Sequence, residues 1–268
     1  MGTSVVRSKF EINPPTNMLG YLKKITRPYR WLYRMLHNGT WSDEEFSYGR
    51  LHFGMFGEDC MLLALFAGQK TGFYIDVGAF HPICYSNTHQ LSKLGWSGIN
   101  IEPNPESFRL FPLLRPRDIN LNIAISGDSG HRDFVCDGMY SGFCSEEYSE
   151  FRQNFLNDSI ETAEKARVQV AVFPLAKIIA DHLPQGTVVD LVSIDCEGAD
   201  LAVLQSADWS VFRPRVVLVE DHSSAPDGEI LDFMRRHGYL HYCRIGLTRF
   251  FLEPEFGRTV GLEGAVTN

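Results

Sequence analysis

At 268 residues the chain has room for one large α/β domain, alone or with a small appendage. Hydrophobic residues make up 44% and charged residues 22%, the balance of an ordinary globular protein rather than of a fibrous or low-complexity chain. The net charge of −8 argues against a general nucleic-acid binder, because phosphate contacts want a basic face.

The N-terminus has no apolar core with a small-residue cleavage pattern, and no run reaches transmembrane length. The six cysteines form no CxxC pair and no metal-ligand cluster, which reads as reduced thiols in a cytoplasmic protein. Residues 1–17 form a loose arm broken by Pro14 and Pro15. The stretch 18–37 is basic and aromatic, with Lys23, Lys24, Arg27, Arg30 and Arg34 among Tyr21, Trp31 and Tyr33. It reads either as an amphipathic helix touching a membrane surface or anionic partner, or as a helix packing its aromatic face on the domain. We take residues 1–46 as this N-terminal segment and 47–268 as the main domain.

Gly57, Glu58 and Asp59 precede an apolar helical run, Cys60 to Phe66. Acidic residues suit a helix N-terminus, and they equally suit ligand contact. A strand follows (Phe73 to Val77), then a tight turn at Gly78 and an amphipathic helix from near Ser86. A second strand, Gly98 to Ile101, ends on Glu102. Acidic residues ending both strands are how an open α/β sheet holds a nucleoside, the second carboxylate meeting ribose hydroxyls. Glu102 follows Asp76 by about 26 positions, against roughly 20 in the dinucleotide fingerprint. Ala79, Phe80, His81 and Pro82 stand where GxGxxG keeps its later glycines for a pyrophosphate. A nucleoside ligand without phosphates needs no such glycines, and S-adenosylmethionine is the leading candidate.

Asn104 caps a helix over Pro105 to Leu114. Ile119 to Ile125 alternates as a third strand, Gly127 to Gly130 is a turn, and His131 to Cys136 is a short extra strand. Residues 137–167 lack sheet periodicity and read as an insertion forming a substrate lid. Then come a strand (Val168 to Phe173), a helix (Leu175 to His182) and a buried parallel strand (Val188 to Ile194) that ends at Asp195-Cys196-Glu197-Gly198. A helix over Ala199 to Ser206 and a strand over Arg215 to Val219 repeat the design, ending at Glu220-Asp221-His222. A helix over Glu229 to His237 stops at Gly238, and Tyr239 to Ile245 with Thr248 to Leu252 close the chain as an antiparallel pair. Strands alternating with helices make a doubly wound sheet, whose carboxyl strand ends share one ligand-binding edge.

In this order and spacing, the motifs resemble the FkbM family of class I S-adenosylmethionine-dependent methyltransferases. They are GED (57–59), DVGA (76–79), HP (81–82), SNT (86–88), GWSGINIEPNP (95–105), RPRDINLNIAIS (115–126) and IDCEGAD (194–200). The resemblance covers residues 47–252 outside the insertion. It implies a Rossmann-like, mostly parallel seven-stranded sheet with the last strand antiparallel and helices on both faces. It also implies a cofactor-binding set. Asp76, Gly78 and Ala79 would hold the methionine part, with Asn87 and Thr88 at the next helix start. Glu102 would take the ribose, beside Pro103 and Asn104, and Asn122 and Ala124 would flank the adenine. Glu58 and Asp195 complete the set, and His81 would face the substrate.

Methyl transfer to an alcohol needs a group to take the proton, or a metal ion. His222, His81 and Asp195 are the catalytic candidates. Asp195, Glu220 and Asp221 offer carboxylates that suit Mg²⁺. In the plainer reading Glu220 and Asp221 cap the turn and His222 is a surface histidine. Glu197 either orients the substrate or seals its loop. The resemblance points to O-methylation of a sugar-containing or other small metabolite in natural-product or glycan biosynthesis. An N-methyltransferase and a non-catalytic cofactor-binding module are the alternatives.

Overall fold

Short runs of β-branched and aromatic residues place the polar strand ends side by side in the computed structural model, which describes residues 51–156, 166–223 and 227–261. The basic aromatic stretch at 18–37 lies outside the described residues. The strands are β1 (Phe73–Val77), β2 (Ser97–Ile101), β3 (Ile119–Leu121), β4 (Ala124–Ile125), β5 (Gly130–Cys136), β6 (Gly142–Phe143), β7 (Ala166–Phe173), β8 (Leu191–Ile194), β9 (Val216–Glu220), β10 (Leu240–Ile245) and β11 (Thr248–Leu252). The helices are α1 (Glu58–Leu65), α2 (His89–Leu94), α3 (Pro105–Phe108), α4 (Phe111–Leu114), α5 (Glu146–Phe151), α6 (Leu175–His182), α7 (Asp200–Gln205), α8 (Glu229–Arg236) and α9 (Pro254–Thr259).

Seven strands form the main sheet in the order β10-β11-β9-β8-β1-β2-β3. The central pairs β1–β2, β1–β8 and β8–β9 are parallel, and β11 runs antiparallel to both its neighbours. Every residue of β1 and β9 is buried, as parallel strands covered on both faces require. Alternation sends Ile75, Val77, Ile99, Ile101, Val192, Ile194, Val217 and Val219 to one face, against Leu175, Ile178, Val203, Leu204 and Met234 of α6, α7 and α8. Tyr74, Leu191, Leu218 and Phe250 face the other way, against Leu62 and Leu65 of α1, Leu91 of α2 and Trp96. Helices therefore cover both faces, as the doubly wound reading requires.

Two expected elements are divided. The strand over 119–125 breaks after Leu121. Its first half joins the main sheet, and Ala124 and Ile125 join a second, four-stranded sheet in the order β4-β7-β5-β6. The helix over 105–114 is two short helices, α3 and α4. Pro112, in the first turn of α4, lacks the N–H that a continuous helix would need.

A buried polar hub ties the chain after β1 to β2 and β3. Arg115 is 3% exposed and donates to the Pro82 carbonyl through Nε (3.0 Å) and Nη2 (2.8 Å), and to the Tyr74 hydroxyl through Nη1 (2.8 Å). Tyr74 donates to Asp118, whose carboxylate also accepts from Asn100 Nδ2 at 3.0 Å and from the Gly98 N–H at 3.2 Å. The Arg115 guanidinium lies 3.6 Å from that carboxylate. Removing it would leave a buried anion uncompensated, a loss of about 3–5 kcal/mol. Arg115→Met should therefore lower the unfolding free energy in denaturant by about that much, and a loss below 1 kcal/mol would contradict the hub.

Candidate active site

The site is built from the carboxyl ends of β1, β2, β8 and β9. Gly78 leaves β1 at φ 74°, and a Cβ there would meet the Asp195 carbonyl oxygen at 1.8 Å, so only glycine fits between β1 and β8. The N–H groups of Gly78 and Ala79 both donate to the Ile101 carbonyl at 3.0 Å, swinging the loop over β2. Phe80 is held at φ 48° and donates its N–H to Glu102 Oε2 at 2.7 Å; Asn104 N–H donates to Oε1 at 2.7 Å. Glu102 is thus fixed at the end of β2, and burial pushes its pKa up to about 7 against the pull of those two N–H groups.

A cavity of about 270 Å³ opens above this edge. Glu58, Gly78, Asn87, Glu102, Pro103, Ala124, Asp195, Glu220 and His222 line it, which brings together most of the expected residues from six separate segments. Glu58 accepts from Phe56 N–H at 2.8 Å, and Asn87 Nδ2 donates to Ser193 Oγ at 3.3 Å. Ile101, Pro103, Ala124, Ile125, Phe134 and Phe143 make one wall apolar. Phe134 and Phe143 come from the second sheet, through the alternation of β5 and its pairing with β6. An apolar slot beside a fixed carboxylate, with glycine at the point of closest backbone approach, fits a nucleoside bound by its ribose and base.

Asp76, Ala79, Thr88 and Asn104 are buried beneath the site rather than lining it. Thr88 Oγ1 donates to Asp76 Oδ2 at 2.7 Å, tying α2 to β1, and burial raises the Asp76 pKa to about 6. Asn104 accepts from Glu106 N–H at 3.0 Å, capping α3, and its Nδ2 donates to Ser141 Oγ at 3.2 Å. Asn122 does not line the cavity. Its amide donates to the Glu102 carbonyl at 2.8 Å and the Pro103 carbonyl at 3.0 Å, pinning the chain where it leaves the main sheet, so the adenine-side expectation is redrawn around Ala124.

His81 is also corrected. Its Nδ1 accepts the N–H groups of Ile83 (3.1 Å) and Cys84 (3.0 Å), which places the ring proton on Nε2 and leaves no basic nitrogen for a substrate. It is absent from the cavity lining and organises the loop instead. Asp221 likewise points elsewhere. Its carboxylate meets Arg249 Nε and accepts Ser223 N–H at 2.8 Å, and the ion pair and hydrogen bonds hold its pKa below the usual range. That removes it from the expected Mg²⁺ set.

Within the insertion, Gly138 to Phe143 line the cavity. Arg152, 1% exposed, anchors them through Asp137 (2.7 Å) and the Tyr148 hydroxyl (3.1 Å), and Tyr148 donates to the Tyr140 carbonyl. Residues 157–165 lie outside the described residues.

At the far end Asp195, Glu197, Asp200 and Glu220 gather. Asp200 is buried at the start of α7 and accepts the N–H groups of Cys196 (2.9 Å) and Gly198 (3.1 Å), which fixes the loop with Glu197 at φ 50°. Burial first, and mutual repulsion second, push these acids up: Asp200 to about 7, Glu220 to about 8, Glu197 to about 10, and Asp195 well above its ordinary range. Asp195 is the most accessible of the four and lines the cavity. His222 Nε2 lies 2.9 Å from Glu220 Oε2, and burial lowers the His222 pKa. Sequence reasoning weighed Glu197 without assigning it. It missed Phe56, Phe80, Tyr85, Cys196 and the β10–β11 turn residue Leu247 as cavity residues, none of which carries the charge by which the others were read.

The family model for the methyltransferase FkbM domain matches residues 76–240, more than half of the chain. The chain belongs to the FkbM methyltransferase family. This methyltransferase uses S-adenosylmethionine. No curated protein matches it. Among solved structures, it is similar to a crystal structure of a TehB-like SAM-dependent methyltransferase from Corynebacterium glutamicum, at 11% identity over 86% of this chain and 98% of that one, with a TM-score of 0.36. Among the described residues no helix is long and apolar enough to cross a membrane.

Ribose hydroxyls donate best to an ionised carboxylate, and Glu102 loses its charge as pH falls through about 7. Affinity for S-adenosylhomocysteine should therefore weaken below that pH by up to about tenfold per unit. Calorimetry across the range checks this. Glu102→Ala should weaken binding by roughly 10–100-fold and flatten the pH dependence.

Proposed function

We propose that the protein is an O-methyltransferase acting on a hydroxyl of an uncharged, sugar-containing or similar small acceptor, with Asp195 taking the hydroxyl proton. The observation that carries the reading is Asp195, which lines the cavity and whose carboxyl group is made more basic by its surroundings. Bound S-adenosylmethionine supplies an electrophilic methyl group on a sulfonium, whose C–S bond breaks as the acceptor oxygen bonds to carbon. The chain's own work is to hold the two reactants and to accept one proton. Glu102 would hold the ribose, Pro103, Ala124, Ile125 and the two phenylalanines of the second sheet the base, and Glu58, Gly78 and Asn87 the methionine end.

The acceptor class is supported by charge and shape. Five acidic residues (Glu58, Glu102, Asp195, Glu197, Glu220) line the cavity, and among the described residues no Lys or Arg does. Such a lining offers no cation to pair with a phosphorylated or carboxylated acceptor. Met55, Phe56, Tyr85 and Tyr140 are exposed along it and offer apolar faces to a ring. Phe80 and Tyr85 stack with centroids 6.4 Å apart. Mg²⁺ held by Asp195, Glu220 and Asp221 is not part of this reading, because the Asp221 carboxylate serves Arg249 and Ser223.

Asp195→Asn should lower the turnover number by about 10²–10⁴-fold while S-adenosylhomocysteine still binds. In the unmutated enzyme the rate should rise with pH through a limb above the ordinary carboxylate range, because the protonated acid cannot accept a proton. Mass spectrometry of products from a panel of neutral glycosides, polyols and amines measures both. Methylation confined to amines, with Asp195→Asn harmless, would replace this reading by N-methylation.

A further inference from the structure

We propose that Phe56 and Tyr85 are the specificity-determining residues of the acceptor site, forming an aromatic platform for the C–H face of a pyranoside ring. Among the described residues the exposed Phe, Tyr and Trp side chains are Phe56, Tyr85 and Tyr140, and all of them line the cavity. Apolar side chains scattered singly over a surface need no explanation. Aromatic rings brought to one cavity from separate segments do.

Tyr85 is held in the left-handed region at φ 57°, as is Phe80 at φ 48°. Bulky side chains rarely adopt that region, and such strain persists only where the surroundings enforce it. Here they do. His81 Nδ1 accepts the Ile83 and Cys84 N–H groups, and Arg115 grips the Pro82 carbonyl and, through Nη2, Ser86 Oγ at 3.2 Å. The Tyr85 ring lies within 22° of parallel to Phe80, yet the residue is 48% exposed. Burial does not account for a strained aromatic left this open, and its free surface is available to a ligand.

Phe56 is fixed by a different segment. Its N–H donates to Glu58 Oε2 at 2.8 Å, and the Phe53 N–H donates to Asp59 Oδ2 at 2.7 Å, which folds residues 53–56 back over the start of α1. The Phe56 ring lies against Gly246, where a Cβ would meet a ring carbon at 2.2 Å. Gly246 sits in the turn between β10 and β11, and those strands are at the opposite end of the sheet from β2, which leads into Glu102 and the ribose. Phe56 therefore walls the end of the cavity that the nucleoside leaves open.

The occupant follows from the lining and rests on the O-methyltransferase reading. Carboxyl groups hydrogen-bond hydroxyls, and among the described residues no Lys or Arg lines the cavity to pair with an anion. A pyranose ring has a face of C–H groups and a rim of hydroxyls, so it uses an aromatic face and carboxyl groups together. An acyclic polyol has the hydroxyls without a rigid face, and a planar aryl alcohol has the face without the rim.

The test offers the full chain methyl pyranosides of gluco, galacto and manno configuration, sorbitol, benzyl alcohol and benzylamine. Methylation is followed by mass spectrometry, and binding to the S-adenosylhomocysteine complex by saturation-transfer NMR. We expect the pyranosides to bind, and at least one to be methylated with kcat/KM about tenfold or more above sorbitol and benzyl alcohol. Phe56→Ala and Tyr85→Ala should each raise its KM about tenfold with kcat little changed and S-adenosylhomocysteine affinity intact. Phe56→Tyr and Tyr85→Phe should restore KM, and the exposed control Val211→Ala should leave it alone. Asparagine tolerates the left-handed region, so Tyr85→Asn should melt no lower than the unmutated protein while KM rises. Thermal melts confirm that the alanine variants are folded; if one is not, the other decides. No pyranoside bound, or a KM indifferent to both alanine variants, overturns the proposal. If sorbitol or benzyl alcohol is then methylated in an Asp195-dependent way, the O-methyltransferase reading stands without the platform. Methylation confined to benzylamine removes both.

Discussion

The close approach of two backbones at Gly78 is the constraint on which the site depends. A Cβ there would lie 1.8 Å from the Asp195 carbonyl, so the exits of β1 and β8 are as near as main chains can be. The loop must then turn away over β2, which it does by donating two N–H groups to the Ile101 carbonyl and a third, from Phe80, to Glu102. One glycine thus sets where the loop meets Glu102 and how near it lies to the end of β8. Arg115 fixes the rest of the loop from below through the Pro82 carbonyl.

The second organising fact is the concentration of acids with raised pKa values at one sheet edge. Asp76, Glu102, Asp195, Glu197, Asp200 and Glu220 all have pKa values raised chiefly by burial. Folding alone gains little from such groups, since burial disfavours their charged forms. They are better explained by what arrives. A sulfonium carries positive charge, and a basic carboxylate can accept a proton.

Much of this was legible in the sequence because strand ends are read by position. Glu102 and Asp195 each follow an apolar run directly, and Asp76 and Glu220 fall at the ends of such runs, so the sheet edge they share could be inferred before any coordinates. The residues that escaped are those whose role depends on side-chain direction. Asn122 is in the right segment, but its amide turns back to the Glu102 and Pro103 carbonyls. His81 sits in the loop over β2, yet its ring is spent on the N–H groups of Ile83 and Cys84. Asp221 neighbours Glu220, and alternation sends it toward Arg249. The second sheet was hidden for another reason. The alternating run 119–125 reads as one strand, and only tertiary pairing shows that its halves serve different sheets.

The most direct measurement is a crystal structure with S-adenosylhomocysteine bound. The expected result has the ribose hydroxyls on Glu102, the base against Ala124, Ile125 and Phe134, and the sulfur facing a space bounded by Asp195 and Glu197. A nucleoside seated elsewhere, or a sulfur facing away from Asp195, would contradict the account.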